Sequence, residues 1–234
     1  MRIYQRHKWD LSYREAAALQ KELRQRIKVR PISLRNIRFV AGTDVAINKS
    51  TGQLVAAVVV HEFPSLELVE SHTMIGDLTF PYIPGLLSFR EIPCLVDCLA
   101  KVRLPVDVVI CDGQGIAHPR GFGLASHLGL LLRRSTIGCA KSRLVGEHED
   151  VRKKRGSFAQ LSYKHRRVGS VLRTQDGIKP LYISPGHLAD QAGSRRLVLA
   201  CSTRYRLPEP TRQADRLAGE KKKRIEEEGS SLPR

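Results

Sequence analysis

The stretch IRFVAGTDVAI at residues 37–47 predicts a β-strand with one carboxylate set among apolar side chains. Further strands are predicted at 53–62, QLVAAVVVHE, and at 66–75, LELVESHTMI. Only short polar or proline-containing breaks separate these strands, so a three-stranded antiparallel meander is the simplest arrangement. Residues 106–112, VDVVICD, form an unbroken apolar run that ends in a carboxylate, which is typical of a central strand buried on both faces.

Helical patterns surround these strands. Ser12 and Glu15 form a capping-box pattern, and apolar residues follow at helical spacing until Pro31. Further elements are predicted as helices at 86–102, 121–133 and 187–202, and as short strands at 135–140 and 180–184. Pro93 falls within the first of these helices and predicts a kink or a break. Strands first, then alternating helices and strands, predict an α/β fold in which helices cover both faces of a mixed β-sheet.

The charge of the chain is strongly one-sided. Lys and Arg number 40 against 23 Asp and Glu in 234 residues, which gives a formal net charge of +17. Each Lys or Arg that binds a phosphate releases a counterion, and this release favours binding. The excess therefore indicates a polyanionic partner such as a nucleic acid.

Membrane insertion and secretion are not expected. No segment reaches the roughly 18 unbroken apolar residues that a spanning helix needs, and the start of the chain, MRIYQRHKWD, lacks the apolar core of a signal peptide. The five cysteines are an odd number and include no CxxC pair, so they predict buried free thiols. We therefore expect a reduced, cytoplasmic protein without a membrane partner.

Three carboxylates have apolar surroundings. Asp44 lies inside the first predicted strand, Asp112 ends VDVVICD, and Glu91 lies on a mostly apolar segment. A buried carboxylate needs a counter-charge or a metal, and carboxylate oxygens suit Mg²⁺ or Mn²⁺. A metal held this way can activate water and neutralise charge that builds on a phosphate. Together with the positive charge of the chain, this set favours a metal-dependent nuclease.

Each carboxylate also has an ordinary explanation. Asp112 precedes Gly113, which suits a simple turn. Glu91 fits a solvated helix position, and Asp44 fits an ion pair with an arginine. Only the three together favour the metal site.

Seven motifs in a fixed order resemble the endonuclease V family: AGTDVAI (41–47), FPYIPGLLSFRE (80–91), CDGQGIAHPRGFGLASHLGLLL (111–132), TIGCAKSRL (136–144), VLRT (171–174), SPGH (184–187) and YRLPEPTRQAD (205–215). The resemblance covers most of residues 1–218 and implies a single nuclease domain there, with a ribonuclease H-like fold. The remaining residues, 219–234, mix blocks of like charge with Gly, Ser and Pro, and are expected to form a disordered tail.

The resemblance also implies an activity. It implies hydrolysis of the second phosphodiester bond on the 3′ side of a deaminated base such as deoxyinosine in DNA, with Mg²⁺ (or Mn²⁺) as the cofactor. The products would carry a 3′-hydroxyl and a 5′-phosphate, and the protein would act as a monomer. Cleavage of single-stranded RNA that contains inosine is the alternative within the same family, because no motif reads the sugar.

The motifs carry over particular active-site residues. Asp44, Glu91 and Asp112 fall on the metal-binding carboxylates of the family. Lys141 falls near the scissile phosphate, where an ammonium offsets charge in the transition state, although an ordinary salt bridge is the alternative. His187, in SPGH, falls on a further active-site position as ligand, water positioner or support, whereas a lone histidine more often caps a helix or satisfies a core group.

The segment PYIP at 81–84 is stiff and carries an aromatic ring. In the resembled family it is the wedge that holds the gap left by an extruded base, whereas a packing turn is the ordinary alternative. Glycine lets a base approach the backbone closely. The expected substrate contacts are Pro81, Tyr82, Ile83, Pro84, Leu87, Gly113, Gly115 and Gly138.

Residues 151–173 hold eight Lys or Arg and no acid, which fits a solvated hairpin or a contact with a nucleic-acid backbone. Two other functions are less consistent with the sequence. A catalytically inactive binder is expected to lose one or more of the carboxylates, and an unrelated ribonuclease H-like nuclease such as a resolvase would not need PYIP.

Overall fold

The structure, a computed structural model, describes residues 1–4, 7–49 and 51–230. Its strands are β1 (Phe39–Asn48), β2 (Gln53–Glu62), β3 (Leu68–Asp77), β4 (Val108–Cys111), β5 (Ser135–Ala140), β6 (Phe158–Tyr163), β7 (Arg166–Leu172) and β8 (Leu181–Pro185). Its α-helices are α1 (Tyr13–Arg24), α2 (Leu87–Ala100), α3 (Leu124–Leu132), α4 (Gln191–Cys201) and α5 (Glu209–Ser230), and a 3₁₀ turn covers Leu34–Asn36.

The eight strands form one mixed sheet in the order β3-β2-β1-β4-β5-β8-β7-β6. The antiparallel β1–β2–β3 meander is confirmed, and its register pairs Asp44 with Ala57. β4 and β5 join β1 in parallel, and β8, β7 and β6 continue the sheet with antiparallel pairings. All four residues of β4 are buried, as the apolar run predicted.

Helices cover both faces of this sheet, which confirms the predicted mixed sheet between helices. Along β1, Ala41 packs in one core with residues of α2 and α3, whereas Val40 packs in a second core with residues of α4. Successive side chains of a strand point to opposite faces, so Gly42 shares the face of Val40. There it lies against the first turn of α5 at Pro210.

The sequence signals at the helices were mostly correct. Ser12 and Glu15 form the predicted capping box, in which the Ser12 backbone N–H donates to Glu15 Oε2 over 2.8 Å. Pro93 lies inside α2, and one continuous helix runs through it, so the predicted break does not occur. The buried face of α2 explains this, because packing holds the helix where the proline removes one backbone donor.

Helix α5 extends further than the composition of the tail predicts. Residues 219–230 continue this helix instead of being disordered, and the last residues of the predicted tail, 231–234, lie outside the described residues. Opposite charges one helical turn apart explain the correction. They pair Arg216 with Glu220 at 3.3 Å, Lys222 with Glu226 at 3.8 Å, and Lys223 with Glu227 at 3.6 Å.

Two findings bear on the predictions from composition. All five cysteines are buried and free, as predicted. Across residues 1–4, 7–49 and 51–230, no helix is both long enough and apolar enough to cross a membrane.

The contact between Gly42 and α5 gives the first testable prediction. A Cβ atom at Gly42 would lie 2.1 Å from the carbonyl carbon of Pro210, so Gly42→Ala must push α5 away from the sheet. We expect the free energy of unfolding to fall by about 1–3 kcal/mol, measured by urea denaturation. Gly219→Ala is the matched control, because a Cβ there meets nothing within 4 Å and alanine favours the helix. Equal stability of Gly42→Ala and wild type would contradict the prediction.

Candidate active site

Three carboxylates meet at the carboxyl end of the central strands. β1 and β4 run in parallel, and the Asp112 N–H donates to the Thr43 carbonyl over 3.3 Å, so Asp44 and Asp112 lie at the same end of the sheet. Helix α5 adds Asp215. One carboxylate oxygen from each of the three residues lies within 4.8 Å of the others. The elements therefore build a compact set of oxygen ligands from two strands and one helix.

Glu91 reaches the same place from the other side of the sheet. It projects from α2, is buried, and lines one cavity of about 460 Å³ together with Asp44 and Asp112. The three carboxylates predicted from the sequence thus face a common space. This cavity opens between the sheet end, α2 and the segment that follows β5.

The electrostatics of the cluster reflect crowded negative charge. Burial, followed by the charges of Asp112 and Asp215, raises the pKa of Asp44 to about 7. Burial, followed by Asp44 and Asp112, raises the pKa of Glu91 to about 8. Both shifts mean that the ionised carboxylates lack sufficient positive charge nearby.

Lys141 supplies part of that positive charge. Its Nζ lies 2.7 Å from Asp112 Oδ2 and 3.3 Å from Asp215 Oδ1. Burial acts to lower the pKa of Lys141, but the hydrogen bond to Asp112 and the surrounding carboxylates outweigh it and raise the pKa above its usual range. The lysine is therefore a fixed ammonium at the edge of the cavity, immediately after β5.

The segment predicted to be a wedge forms the rim of the cavity. Ile83, Pro84 and Leu87 line it, and Tyr82 lines it with a side chain that is 69 % exposed. The guanidinium of Arg90 lies 5.8 Å from the centre of the Tyr82 ring, and thus holds the ring from one side. Pro81, by contrast, is exposed and does not line the cavity. An exposed aromatic ring at a cavity mouth is free to stack on an incoming flat group.

The carbonyl of Gly85 connects this rim to the body of the protein through three hydrogen bonds. The Gly85 carbonyl accepts hydrogen bonds from Gln20 Nε2 at 3.0 Å, His118 Nε2 at 3.0 Å and Arg120 at 2.7 Å. Burial and the charge of Arg120 lower the pKa of His118 to about 4, so its imidazole is neutral and donates from Nε2. Gly85 has a φ of +80°, and a side chain there would also collide with Arg120. Three donors thus fix the position of residues 81–85 beside the carboxylates.

Comparison with known proteins identifies the family. The model of the family described as Endonuclease V matches residues 21–216. The chain belongs to the endonuclease V family. Endonuclease V of a Nostoc species is 46% identical over 218 residues, covering 93% of this chain and 99% of the relative. The family is one of nucleases, and the carboxylate cluster lies in the part of the chain that its model matches.

Solved endonuclease V structures share the fold. The one from Streptomyces avermitilis has a TM-score of 0.89 and 41% identity, covering 96% of this chain and 99% of that one. Endonuclease V from Ciona intestinalis, solved in complex with a 24mer DNA that contains an inosine followed by a ribo-adenosine, has a TM-score of 0.80 and 28% identity, covering 91% of this chain and 98% of that one. The ribonuclease H-like fold predicted from the sequence is therefore confirmed.

The sequence reasoning missed Asp215 as part of this endonuclease V cluster. The residue ends the motif YRLPEPTRQAD, which carried the resemblance, but an aspartate on a helix surface is common and attracts no notice. The available signal was its helical spacing. Thr211, Ala214 and Ala218 are buried on the face that packs against the sheet, which brings the side of α5 that carries Asp215 close to β1.

His187 does not join the carboxylates. It is buried, its N–H donates to Thr136 Oγ1 over 2.9 Å, and its Nδ1 accepts from the Lys28 N–H over 3.3 Å. Thr136 is near the start of β5 and Lys141 follows its end, so His187 lies roughly 16 Å along the strand from the lysine. The structure thus places His187 apart from the carboxylate cluster, where it ties the turn after β8 to β5 and to the segment after α1.

Of the three glycines expected to contact a base, only Gly113 lines the cavity. The Gly115 N–H already donates to Ser184 Oγ over 2.7 Å. Gly138 pairs within the sheet, and a Cβ there would lie 2.4 Å from the nitrogen of Gly115. Gly115 and Gly138 therefore allow two backbone segments to pack closely beneath the cavity, and their polar groups are not available to a base.

The hydrogen bonds of Gln20 generate a prediction about the rim. Gln20→Met keeps the size of this buried side chain but removes its donors to Gly85 and to the Phe122 carbonyl. We expect the free energy of unfolding to fall by about 1–3 kcal/mol, and proteolytic cleavage after Tyr82 to become faster. Gln25→Met, at an exposed position just beyond the same helix, is the control and should change neither quantity. Unchanged stability and protease resistance in Gln20→Met would count against the proposed fastening.

Proposed function

We propose that this protein is a Mg²⁺-dependent endonuclease that nicks DNA at the second phosphodiester bond 3′ to a deaminated base, with deoxyinosine as its substrate lesion. The products would carry a 3′-hydroxyl and a 5′-phosphate. The observation that carries the proposal is the cluster of Asp44, Asp112 and Asp215. Asp44 and Asp112 also line, with Glu91, a cavity whose rim bears the exposed ring of Tyr82.

The donor set fits a hard divalent cation. Asp44, Asp112 and Asp215 offer carboxylate oxygens within 4.8 Å of one another, and Glu91 faces the same cavity. Oxygen ligands of this kind suit Mg²⁺, with Mn²⁺ as a substitute. The raised pKa values of Asp44 and Glu91 agree, because a bound cation would supply the positive charge that the cluster lacks. When bound, such an ion supplies water activation and neutralises charge on the phosphate.

The residues of the chain supply binding and orientation. The ammonium of Lys141 stands at the cavity edge and would balance charge on the phosphate that undergoes cleavage. Tyr82, held from one side by Arg90, would stack in the gap left when a base leaves the helix. Gly113 lines the cavity and offers backbone without a side chain to a base that enters it.

DNA is favoured as the substrate by the comparison with a relative. Endonuclease V from Ciona intestinalis was solved with a DNA that contains an inosine followed by a ribo-adenosine. The formal net charge of +17 supports a polyanionic substrate in general. A positively charged protein gains affinity for nucleic-acid strands because its binding releases counterions from the phosphates. Cleavage of RNA that contains inosine is the alternative activity, and the following experiment distinguishes it from cleavage of DNA.

The deciding experiment uses end-labelled duplex DNA with one deoxyinosine, beside a normal duplex and a matched single-stranded RNA with inosine. Each substrate is incubated with wild type and with Asp44→Asn, in Mg²⁺ or in chelator. We expect one Mg²⁺-dependent nick, one nucleotide beyond the lesion on its 3′ side, that is absent with Asp44→Asn. Cleavage of the RNA alone would replace the DNA activity, and binding without cleavage of either substrate would overturn the enzyme proposal.

A second prediction isolates Asp215. Asp215→Asn removes one carboxylate charge from the cluster while keeping the shape of the side chain, so Mn²⁺ affinity measured by calorimetry should fall. We expect a loss of at least roughly 10- to 100-fold, the size seen when even an outer partner of a metal is removed, and a parallel loss of nicking. Glu220→Gln is the control, because Glu220 lies on the same helix and pairs with Arg216 away from the cluster. If both variants bind Mn²⁺ equally well, Asp215 is not a ligand.

A third prediction concerns the aromatic rim. Tyr82→Ala should weaken binding to the deoxyinosine duplex by the equivalent of about 1–3 kcal/mol, the usual value of a base stacked on an aromatic ring. Binding to an undamaged duplex should change much less, because no base leaves that helix. Fluorescence anisotropy without added metal measures both affinities. Tyr13→Ala, at another exposed tyrosine, is the control. An equal loss on damaged and undamaged duplex would remove Tyr82 from lesion recognition.

A further inference from the structure

The basic residues of the stretch 151–173 lie in two groups, one at each end of the sheet. β5 ends at Ala140, which pairs with Tyr182 near the start of β8. Leu172 at the end of β7 pairs both with Leu181 and with Phe158 at the start of β6. Residues 152–157 precede β6, so they lie at the same end of the sheet as Lys141. Three strand spacings separate β6 from β5, which is roughly 14 Å.

The segment that precedes β6 is rigidly held. The guanidinium of Arg173 donates to the carbonyls of Val151 at 2.8 Å and Arg152 at 3.1 Å. The Gly177 N–H donates to the Lys153 carbonyl at 2.9 Å. The guanidinium of Arg155 anchors the same segment to two carbonyls near the end of α4. The guanidinium groups of Arg155 and Arg173 therefore stabilise the local structure of this segment.

The remaining cations of this segment are directed to solvent. Arg152, Lys153 and Lys154 are exposed, and none has an acidic partner at ion-pair distance in the described part of the chain. Glu149 and Asp150, which precede the segment, are exposed and form none of the ion pairs found in the described residues. Asp176, in the facing loop, accepts a hydrogen bond from the backbone N–H of Arg155. Three adjacent unpaired cations on a rigid backbone cost self-repulsion, which an anionic partner would relieve.

Hydrogen bonds through intervening residues connect this segment to the active site. The guanidinium of Arg206 donates to the carbonyls of Lys141 and Pro180, each at 2.9 Å. Gln175 Nε2 donates to the carbonyls of Ser202 at 3.3 Å and Tyr205 at 3.1 Å. The surface between the carboxylate cluster and the three cations is therefore continuous and internally bonded.

We propose that Arg152, Lys153 and Lys154, here called the basic platform, bind backbone phosphates of duplex DNA beside the cleavage site. The separation of roughly 14 Å corresponds to about four base-pair steps of 3.4 Å. The platform contacts phosphates and not bases, so it adds affinity that depends on salt but not on sequence or lesion. The location beside a cleavage site rests on the proposed function, whereas the phosphate contact itself does not.

The same stretch offers a matched control at the opposite end of the sheet. Lys164, Arg166 and Arg167 are also exposed, and they lie at the β6–β7 turn, where the hairpin reverses. Five to six residues of strand place them roughly 16–20 Å from the platform along the sheet. Replacing these three removes the same charge from the same hairpin without touching the platform.

The test compares Arg152→Gln/Lys153→Gln/Lys154→Gln with Lys164→Gln/Arg166→Gln/Arg167→Gln. Anisotropy of a labelled, undamaged duplex is measured without metal over a series of salt concentrations. We expect the platform variant to bind several-fold more weakly and to lower the slope of log K against log salt by about one for each lost contact. The turn variant should keep the slope of wild type, and thermal melting should confirm that both variants fold.

Equal losses in the two variants, or no loss in either, would overturn the platform. A second arm shortens the duplex on each side of a deoxyinosine in turn. On the side that reaches the platform, we remove the base pairs that lie beyond about the fourth from the cleavage site. This should lower the affinity of the wild type to that of the platform variant, and should leave the affinity of the platform variant unchanged. Failure of the wild type to nick deoxyinosine would overturn the proposed function but leave the binding comparison intact.

Discussion

The whole site depends on holding like charges together. The partly buried Asp44 and Asp112 and the exposed Asp215 bring oxygens within 4.8 Å of one another, a distance at which ionised carboxylates repel. Lys141 offsets part of this repulsion through its contacts with Asp112 and Asp215, and the charge of Arg90 acts on Glu91, but these two cations face four carboxylates. The pKa values of Asp44 and Glu91 are raised because part of the negative charge of the cluster has no positive charge beside it. Such an arrangement costs stability and is typical of a functional site.

The fold provides the restraint that the side chains lack. Parallel pairing of β1 with β4 fixes the end of β4 beside the middle of β1, so Asp44 and Asp112 cannot move apart without loss of sheet hydrogen bonds. Gly42 lets the first turn of α5 lie directly on β1, and Asp215 follows little more than a turn later. Helix α2 delivers Glu91 from the opposite face. Both helical layers and the sheet are therefore needed to complete the cluster.

The parts of this site that could be predicted from the sequence are those with a local signal. Asp44 and Asp112 interrupt apolar runs, which is unusual whatever the rest of the chain does. Asp215 gives no such signal, since its importance comes from the packing of α5 on a strand about 170 residues earlier in the chain. His187 shows the opposite error. A histidine after Pro-Gly suggested chemistry, but its backbone N–H donates to Thr136 and its Nδ1 accepts from Lys28, a long-range arrangement that no motif reveals.

The distribution of charge separates binding from cleavage in space. A chain of net charge +17 attracts a polyanion, yet the cavity itself is lined by acidic groups that repel a phosphate. Under the proposed function, phosphates away from the cleaved bond meet cations such as the basic platform, whereas the cleaved phosphate reaches the carboxylates only together with a divalent cation. Salt then acts on the first set of contacts and metal on the second. Under the same proposal, the protein would hold DNA in the absence of metal, and the held strand would be hydrolysed only when a divalent cation is bound at the carboxylates.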